Sequence, residues 1–243
     1  MKRVLIVIAV FLVLGAGVYV WDVINRSETD AMRFKREYEA LNGERNPADT
    51  HTYKTITIPE VNLMKYVTPE EILEIAESGT GLIYFGFPQC PWCRQMTPLL
   101  IDVAIGMGLD TIYYIDLTTI RTTWEIIDGV PVMTDPGHSR YQDLLVAFRS
   151  VIEPIPLNPF HLTDAEGNRF NTEELRIFVP TVVAIRDGRI VASHVYTVPA
   201  SFPGNPEGNQ WNPLTVEENR ELRTIYEKVI AALSDDACFL TAC

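Results

Sequence analysis

The hydrophobic pattern of this chain has two regimes. From Val4 to Trp21, eighteen residues carry no charge; Lys2 and Arg3 precede them and Asp22 follows. That length suits a membrane-spanning helix with Trp21 at the interface, and is long for the apolar region of a signal peptide. Gly15-Ala16-Gly17 offers a cleavage site, but it lies inside the apolar run, so an uncleaved signal-anchor over 1–21 is the favoured expectation. Beyond it the pattern becomes that of a globular chain. Residues 27–42 predict an amphipathic helix capped by Ser27, with Met32, Tyr38 and Leu41 apolar and Gly43 as its stop. It reads as a spacer, with Asn46 to Asp49 as linker, so that 22–54 separates the anchor from a domain at 55–243.

Within that domain, Thr55 to Ile58 alternates as a strand. Thr68-Pro69-Glu70-Glu71 is a capping box that opens a helix to about Ser78. Leu82, Ile83, Tyr84 and Phe85 read as a buried strand. Arg140 to Ile152 carries Tyr141, Leu144, Leu145, Phe148, Val151 and Ile152 at helical spacing, a stripe for packing or, less favoured, for a substrate groove. Residues 164–168 read as a turn leading on to the next strands. Phe178 to Val195 reads as two strands joined at Asp187-Gly188, a strong hairpin signal. Pro199 to Pro213 is a long Pro/Gly/Asn loop containing Trp211. Thr215-Val216-Glu217-Glu218 opens a last helix that buries Leu222, Ile225, Tyr226, Val229 and Ile230. Strands alternating with helices predict an α/β sheet with helices on its faces.

A hydrophobic content of 47% over 243 residues excludes global disorder. The net charge of −12, spread along the chain, argues against nucleic acid and against clinging to anionic headgroups. Neither a nucleotide loop nor an internal repeat is present.

The chemistry concentrates at Cys90-Pro91-Trp92-Cys93, directly after the buried strand. Pro91 suits the first turn of a helix, which sets Cys90 at a helix N-terminus where a thiolate is favoured. Cys93 follows one turn later, within reach of a disulfide. Half of a zinc site is a competing reading, but four ligands are needed. The other cysteines, Cys238 and Cys243, lie at the far C-terminus, and none of the four histidines makes a ligand pair with another. A purely structural disulfide across so small a loop removes little chain entropy. A reversible dithiol is the favoured reading, with no metal and no cofactor.

Val179-Pro180-Thr181-Val182-Val183, the Asp187-Gly188 turn, Pro98 five residues after Cys93, and the strand from Thr111 to Asp116 complete a pattern that resembles the thioredoxin superfamily. The matched blocks cover about 80 residues. The resemblance implies a thioredoxin-like sheet flanked by helices. It also implies a cis Val179–Pro180 bond against the dithiol, and backbone hydrogen bonds from Val179 to an extended substrate. Pro180 lies 90 residues beyond Cys90, longer than the family's interval, which implies a helical insertion at about 119–168. Thioredoxins proper carry a buried Asp before the motif; Tyr84 stands there, and no Lys occurs in Ile112 to Ile115. Cys93 is therefore expected to lose its proton to water or to the leaving thiolate.

These readings imply a membrane-anchored thiol–disulfide oxidoreductase, with weaker similarity to thioredoxin-like bacteriocin transport accessory proteins. Its expected partners are cysteine-containing exported proteins or peptides, with room for a redox partner in the membrane. Arg26, Arg33, Lys35 and Arg36 dilute the positive-inside bias, and the dithiol tips the expectation towards an extracytoplasmic domain. Cys90 and Cys93 are the candidate catalytic pair. Trp92, Val179 and Pro180 are the candidate substrate-binding residues, with simple packing as the competing role for Trp92. A non-catalytic thioredoxin-like accessory module for an export system is the alternative. Cys238 and Cys243 are expected to pair in an oxidising compartment, against a redox relay or free thiols.

Overall fold

The computed structural model describes residues 28–47, 50–164, 166–198 and 210–234. The candidate anchor at 1–21, most of the Pro199–Pro213 loop, and Cys238 and Cys243 lie outside these residues. Among the described residues no helix is long and apolar enough to cross a membrane.

Helix α1 (Asp30–Glu39) starts from Thr29, whose side chain accepts the Met32 N–H. It is not a spacer. Phe34 and Tyr38, one turn apart, are fully buried; their rings stack at 4.2 Å, and Phe34 meets Tyr114 edge-on at 4.8 Å. An i, i+4 aromatic pair facing the sheet makes this helix part of the core. Met32, by contrast, is exposed.

Residues 55–58 form no strand. Ile56 and Ile58 are buried, yet their backbone groups bond to side chains of the preceding helix and turn instead of to a ladder. Asn42 takes both the N–H and the C=O of Ile56, and Glu39 accepts the Ile58 N–H. The first strand comes later, as β1 (Met64–Tyr66). Helix α2 (Pro69–Ser78) follows with the Thr68–Glu71 capping box formed in both directions. Then come β2 (Gly81–Gly86), α3 (Pro91–Gly106) and β3 (Ile112–Asp116).

The segment expected as a helical insertion is as much β as α. β4 (Thr123–Ile127) and β5 (Val130–Asp135) form a hairpin turning at Asp128 and Gly129, both with positive φ. The helix expected over Arg140 to Ile152 is divided at Phe148 into α4 (Tyr141–Ala147) and α5 (Arg149–Ile152). Its stripe packs inward, with Phe148 edge-on to Phe85 at 5.0 Å, so it is core and not a groove. A second small hairpin, β6 (His161–Thr163) with β7 (Arg169–Asn171), completes the segment.

β8 (Thr181–Arg186) and β9 (Arg189–Val195) form the expected hairpin, with Asp187 at φ 50° and Gly188 at φ 69°. A side chain on Gly188 would fall 2.2 Å from the Glu77 carbonyl oxygen, so both conformation and space require glycine there. Helix α6 (Val216–Ala231) carries the second capping box, at Thr215 and Glu218, and buries Leu222, Tyr226, Val229 and Ile230; Ile225 is half-buried.

The central sheet is mixed, in the order β1-β3-β2-β8-β9. β1 and β2 run parallel to β3, and β8 runs antiparallel to β2. Helices flank it, α3 packing with α6 and α2 with α4. β2 lies in the middle, and all of Leu82 to Gly86 is buried. A central, buried strand thus delivers the chain into the cysteine motif.

Candidate functional site

The site is built where β2 ends and α3 begins. The Cys90 N–H donates to the Phe87 carbonyl at 3.2 Å, closing a turn that brings the chain to the helix start. Cys90 is the N-cap and Pro91 the first helical residue, where its missing N–H costs nothing. The Cys90 sulfur accepts the Cys93 N–H at 3.1 Å, an interaction that favours a negative sulfur. On its other side the Cys90 thiol donates to the Val179 carbonyl oxygen at 3.8 Å, across 89 residues of sequence. Val179–Pro180 is cis, and Pro180 is tied to the strand end through its carbonyl, which accepts the Tyr196 N–H at 2.7 Å. Four of the five candidate residues therefore converge: Cys90, Cys93, Val179 and Pro180. Trp92, the fifth, follows Pro91 in the first turn, half-buried and packed against the core.

Both cysteines are free thiols in this structure. They differ in surroundings. Cys93 is fully buried, and burial first, then its hydrogen bond with Cys90 and the Cys90 charge, push its thiol well above the ordinary range. The Phe87 backbone and the Tyr84 hydroxyl oppose that rise. Tyr84 belongs to a buried hydroxyl network. Its OH meets Tyr38 OH at 3.0 Å and Thr97 Oγ1 at 3.1 Å, and Thr97 bonds to the Cys93 carbonyl at 2.7 Å. Gly86 makes room for this arrangement, since a Cβ there would lie 2.4 Å from the Tyr84 hydroxyl. A phenol whose own ionisation is pushed far up by burial can hold Cys93 in place but cannot take its proton at neutral pH.

Arg94, the residue after the motif, was not among the candidate site residues, yet it anchors the helix that carries them. It is 1% exposed. Its guanidinium donates to the carbonyls of Tyr38 at 2.5 Å and Lys54 at 2.8 Å and to Asn42 Oδ1 at 2.6 Å. It thereby ties the site helix to α1 and to the segment after it. Gln95 makes a comparable tie, donating to the Asn212 carbonyl at 2.6 Å.

Among the described residues no group of three His, Cys, Asp or Glu side chains comes together to hold a metal ion. What the arrangement can do chemically is exchange: one sulfur at a helix terminus, a second sulfur one turn behind it, and a backbone carbonyl facing the first. The chain matches no family model and no curated protein.

Proposed function

We propose that this chain is a thiol–disulfide oxidoreductase of thioredoxin-like fold, anchored in a bacterial membrane by residues 1–21 with its domain on the outer side. The observation that carries the reading is the Cys90 sulfur held between the Cys93 N–H and the Val179 carbonyl. The first contact stabilises a thiolate, and the second lies on a segment suited to pairing with an extended peptide. The sheet order, the dithiol at the end of its central strand and the Pro180 hairpin support the same reading. Its substrates are cysteine-containing exported proteins or peptides. Val179 and Pro180 line the docking edge, and Trp92 offers an apolar face beside it.

The test is turnover by the full chain in detergent. Wild-type protein accelerates insulin reduction by a dithiol donor, or oxidative refolding of a reduced protein, and Cys90→Ser abolishes the acceleration. Absence of both activities in the wild-type protein overturns the proposal and leaves an accessory binding module as the better reading. The anchor has its own test. Eighteen apolar residues should keep the protein in the membrane fraction through a high-salt wash, which releases proteins held by charge alone.

A further inference from the structure

Arg121 lies in the turn that follows β3, where the segment between the sheet's parallel and antiparallel halves begins. The turn is held tightly. The Leu117 N–H donates to the Gly86 carbonyl at 3.1 Å, and the Arg121 N–H returns to the Leu117 carbonyl at 3.3 Å. Gly137, at φ 67°, backs onto it so closely that a Cβ would sit 2.5 Å from the Ile120 carbonyl oxygen and 2.6 Å from that of Arg121. From this fixed base the guanidinium reaches over the Phe87 ring, 4.8 Å from its centroid. Phe87 is the residue whose carbonyl accepts the Cys90 N–H.

Among the described residues, that guanidinium has neither a hydrogen bond nor a carboxylate within ion-pair distance. Nearby Arg176 is differently engaged. It donates to the Thr122 carbonyl at 2.9 Å and stacks on Phe160 at 3.9 Å, and burial pulls it down to about 10. Glu174 is taken by Thr122 at 2.6 Å and Trp124 at 3.0 Å. The groups that act on Arg121 are Tyr141, Cys90, Cys93 and Asp116, each favouring its cation against the cost of burial. Of these, the cysteines are the ones whose charge changes in the proposed exchange. A half-buried cation without an ion pair is stabilised when an anion appears beside it.

We propose that Arg121 is the counter-charge of the Cys90 thiolate, delivered to the dithiol by the inserted segment. The inference rests on the oxidoreductase reading above and deepens it. In the reducing direction the Cys90 thiolate attacks a substrate disulfide. A Cys90–substrate S–S bond forms as the substrate S–S bond breaks, and the electron pair leaves on the second substrate sulfur. Cys93 then gives its proton to solvent and attacks Cys90, and the first substrate sulfur departs as a thiolate. Two electrons have passed to the substrate, whose sulfurs take up two protons from solvent. Arg121 acts on the states in which Cys90 is anionic: the start of this sequence and, run backwards, its product.

The experiment is alkylation of Cys90 in the reduced full chain by iodoacetamide, a neutral probe, followed by mass spectrometry of the Cys90 peptide. Wild type, Arg121→Gln and Arg121→Lys are compared from pH 6 to pH 10. At pH 7 the Gln variant should react about fivefold to tenfold more slowly, as expected for one unit charge at several ångströms in a partly buried site. The Lys variant should recover most of the rate, and the gap between wild type and Gln should close at pH 10, above the ~8.5 of an ordinary thiol. Equal rates at pH 7 overturn the proposal. So does a Gln deficit that persists unchanged at pH 10, because that marks altered access and not charge. Alkylation needs no turnover, so an inactive wild-type protein sinks the oxidoreductase reading while the rates still judge Arg121.

Discussion

The hydroxyl groups of Tyr38 and Tyr84 meet at 3.0 Å, joining the first helix of the domain to its central strand. Tyr84 passes the contact on to Thr97, and Thr97 to the carbonyl of Cys93. The buried cysteine of the motif is therefore supported by residues from three separate parts of the chain. Tyr84→Phe removes the middle of that network and leaves the hydroxyls of Tyr38 and Thr97 each without one partner. A loss of about 1–3 kcal/mol is expected in denaturant unfolding. Because the Tyr84 hydroxyl opposes the rise of the Cys93 thiol, resolution of a mixed disulfide by Cys93 should also slow. A variant with full stability and an unchanged resolving rate would show that the network does neither.

The two cysteines should divide their labour by burial. At neutral pH, Cys93 is held as a thiol by its burial and by the Cys90 charge, so iodoacetamide should label Cys90 first. Cys93→Ser should accumulate mixed disulfides through Cys90, visible on non-reducing gels, because the attacking sulfur remains and the resolving one is gone. Faster labelling of Cys93 would reverse the assignment.

Local signals in the sequence were legible where one or two residues decide the conformation. Asp187-Gly188 demanded positive φ and gave the hairpin; Thr68 with Glu71 and Thr215 with Glu218 gave two helix starts. Asp128-Gly129 carried the same hairpin signal between apolar runs, yet the helical stripe further on drew the whole segment towards helix. Residues 55–58 misled for a different reason. Alternation reports which side chains are buried, and Ile56 and Ile58 are; it does not report what bonds the backbone, which here is Asn42 and Glu39. Arg94 was illegible because its burial depends on acceptors at Tyr38, Asn42 and Lys54, brought together only by the fold. The helix start at Cys90 and the cis Val179–Pro180 bond were legible from their motifs, whereas the seat of the Arg121 guanidinium over Phe87 emerged only from the fold.

Residues 28–43 should prove indispensable to the domain. A fragment beginning at residue 44 lacks Phe34 and Tyr38 and strips Arg94 of its Tyr38 and Asn42 acceptors. Deleting one such buried aromatic side chain typically costs about 3–5 kcal/mol, comparable to much of a domain's stability. The fragment 44–243 is therefore expected to show no cooperative unfolding transition, while 28–243 shows one. Arg94→Ala in the longer fragment should lower stability by at least about 3 kcal/mol, since three acceptors lose a charged donor. Equal stability of the two fragments would restore the helix to the status of a spacer.

His194 should make stability fall on mild acidification. Burial lowers its pKa from the ordinary 6.5, outweighing the hydrogen bond to the Thr197 carbonyl that raises it, and its ring stands edge-on to the buried Tyr226 at 6.0 Å. The sign follows from proton counting. Between the folded pKa and about 6.5, the unfolded chain binds a proton that the folded chain does not, so unfolding gains as pH falls through that window. Above about 6.5 both states are neutral and the contribution is flat; below the folded pKa both are protonated and it is flat again. Carboxylates add their own slope at lower pH, so the informative quantity is the difference between wild type and His194→Gln. That difference should shift in favour of the variant as pH drops below about 6.5, in urea titrations at fixed ionic strength. A difference independent of pH from 7.5 to 5 would mean that His194 takes up its proton as readily in the folded chain as in the unfolded one.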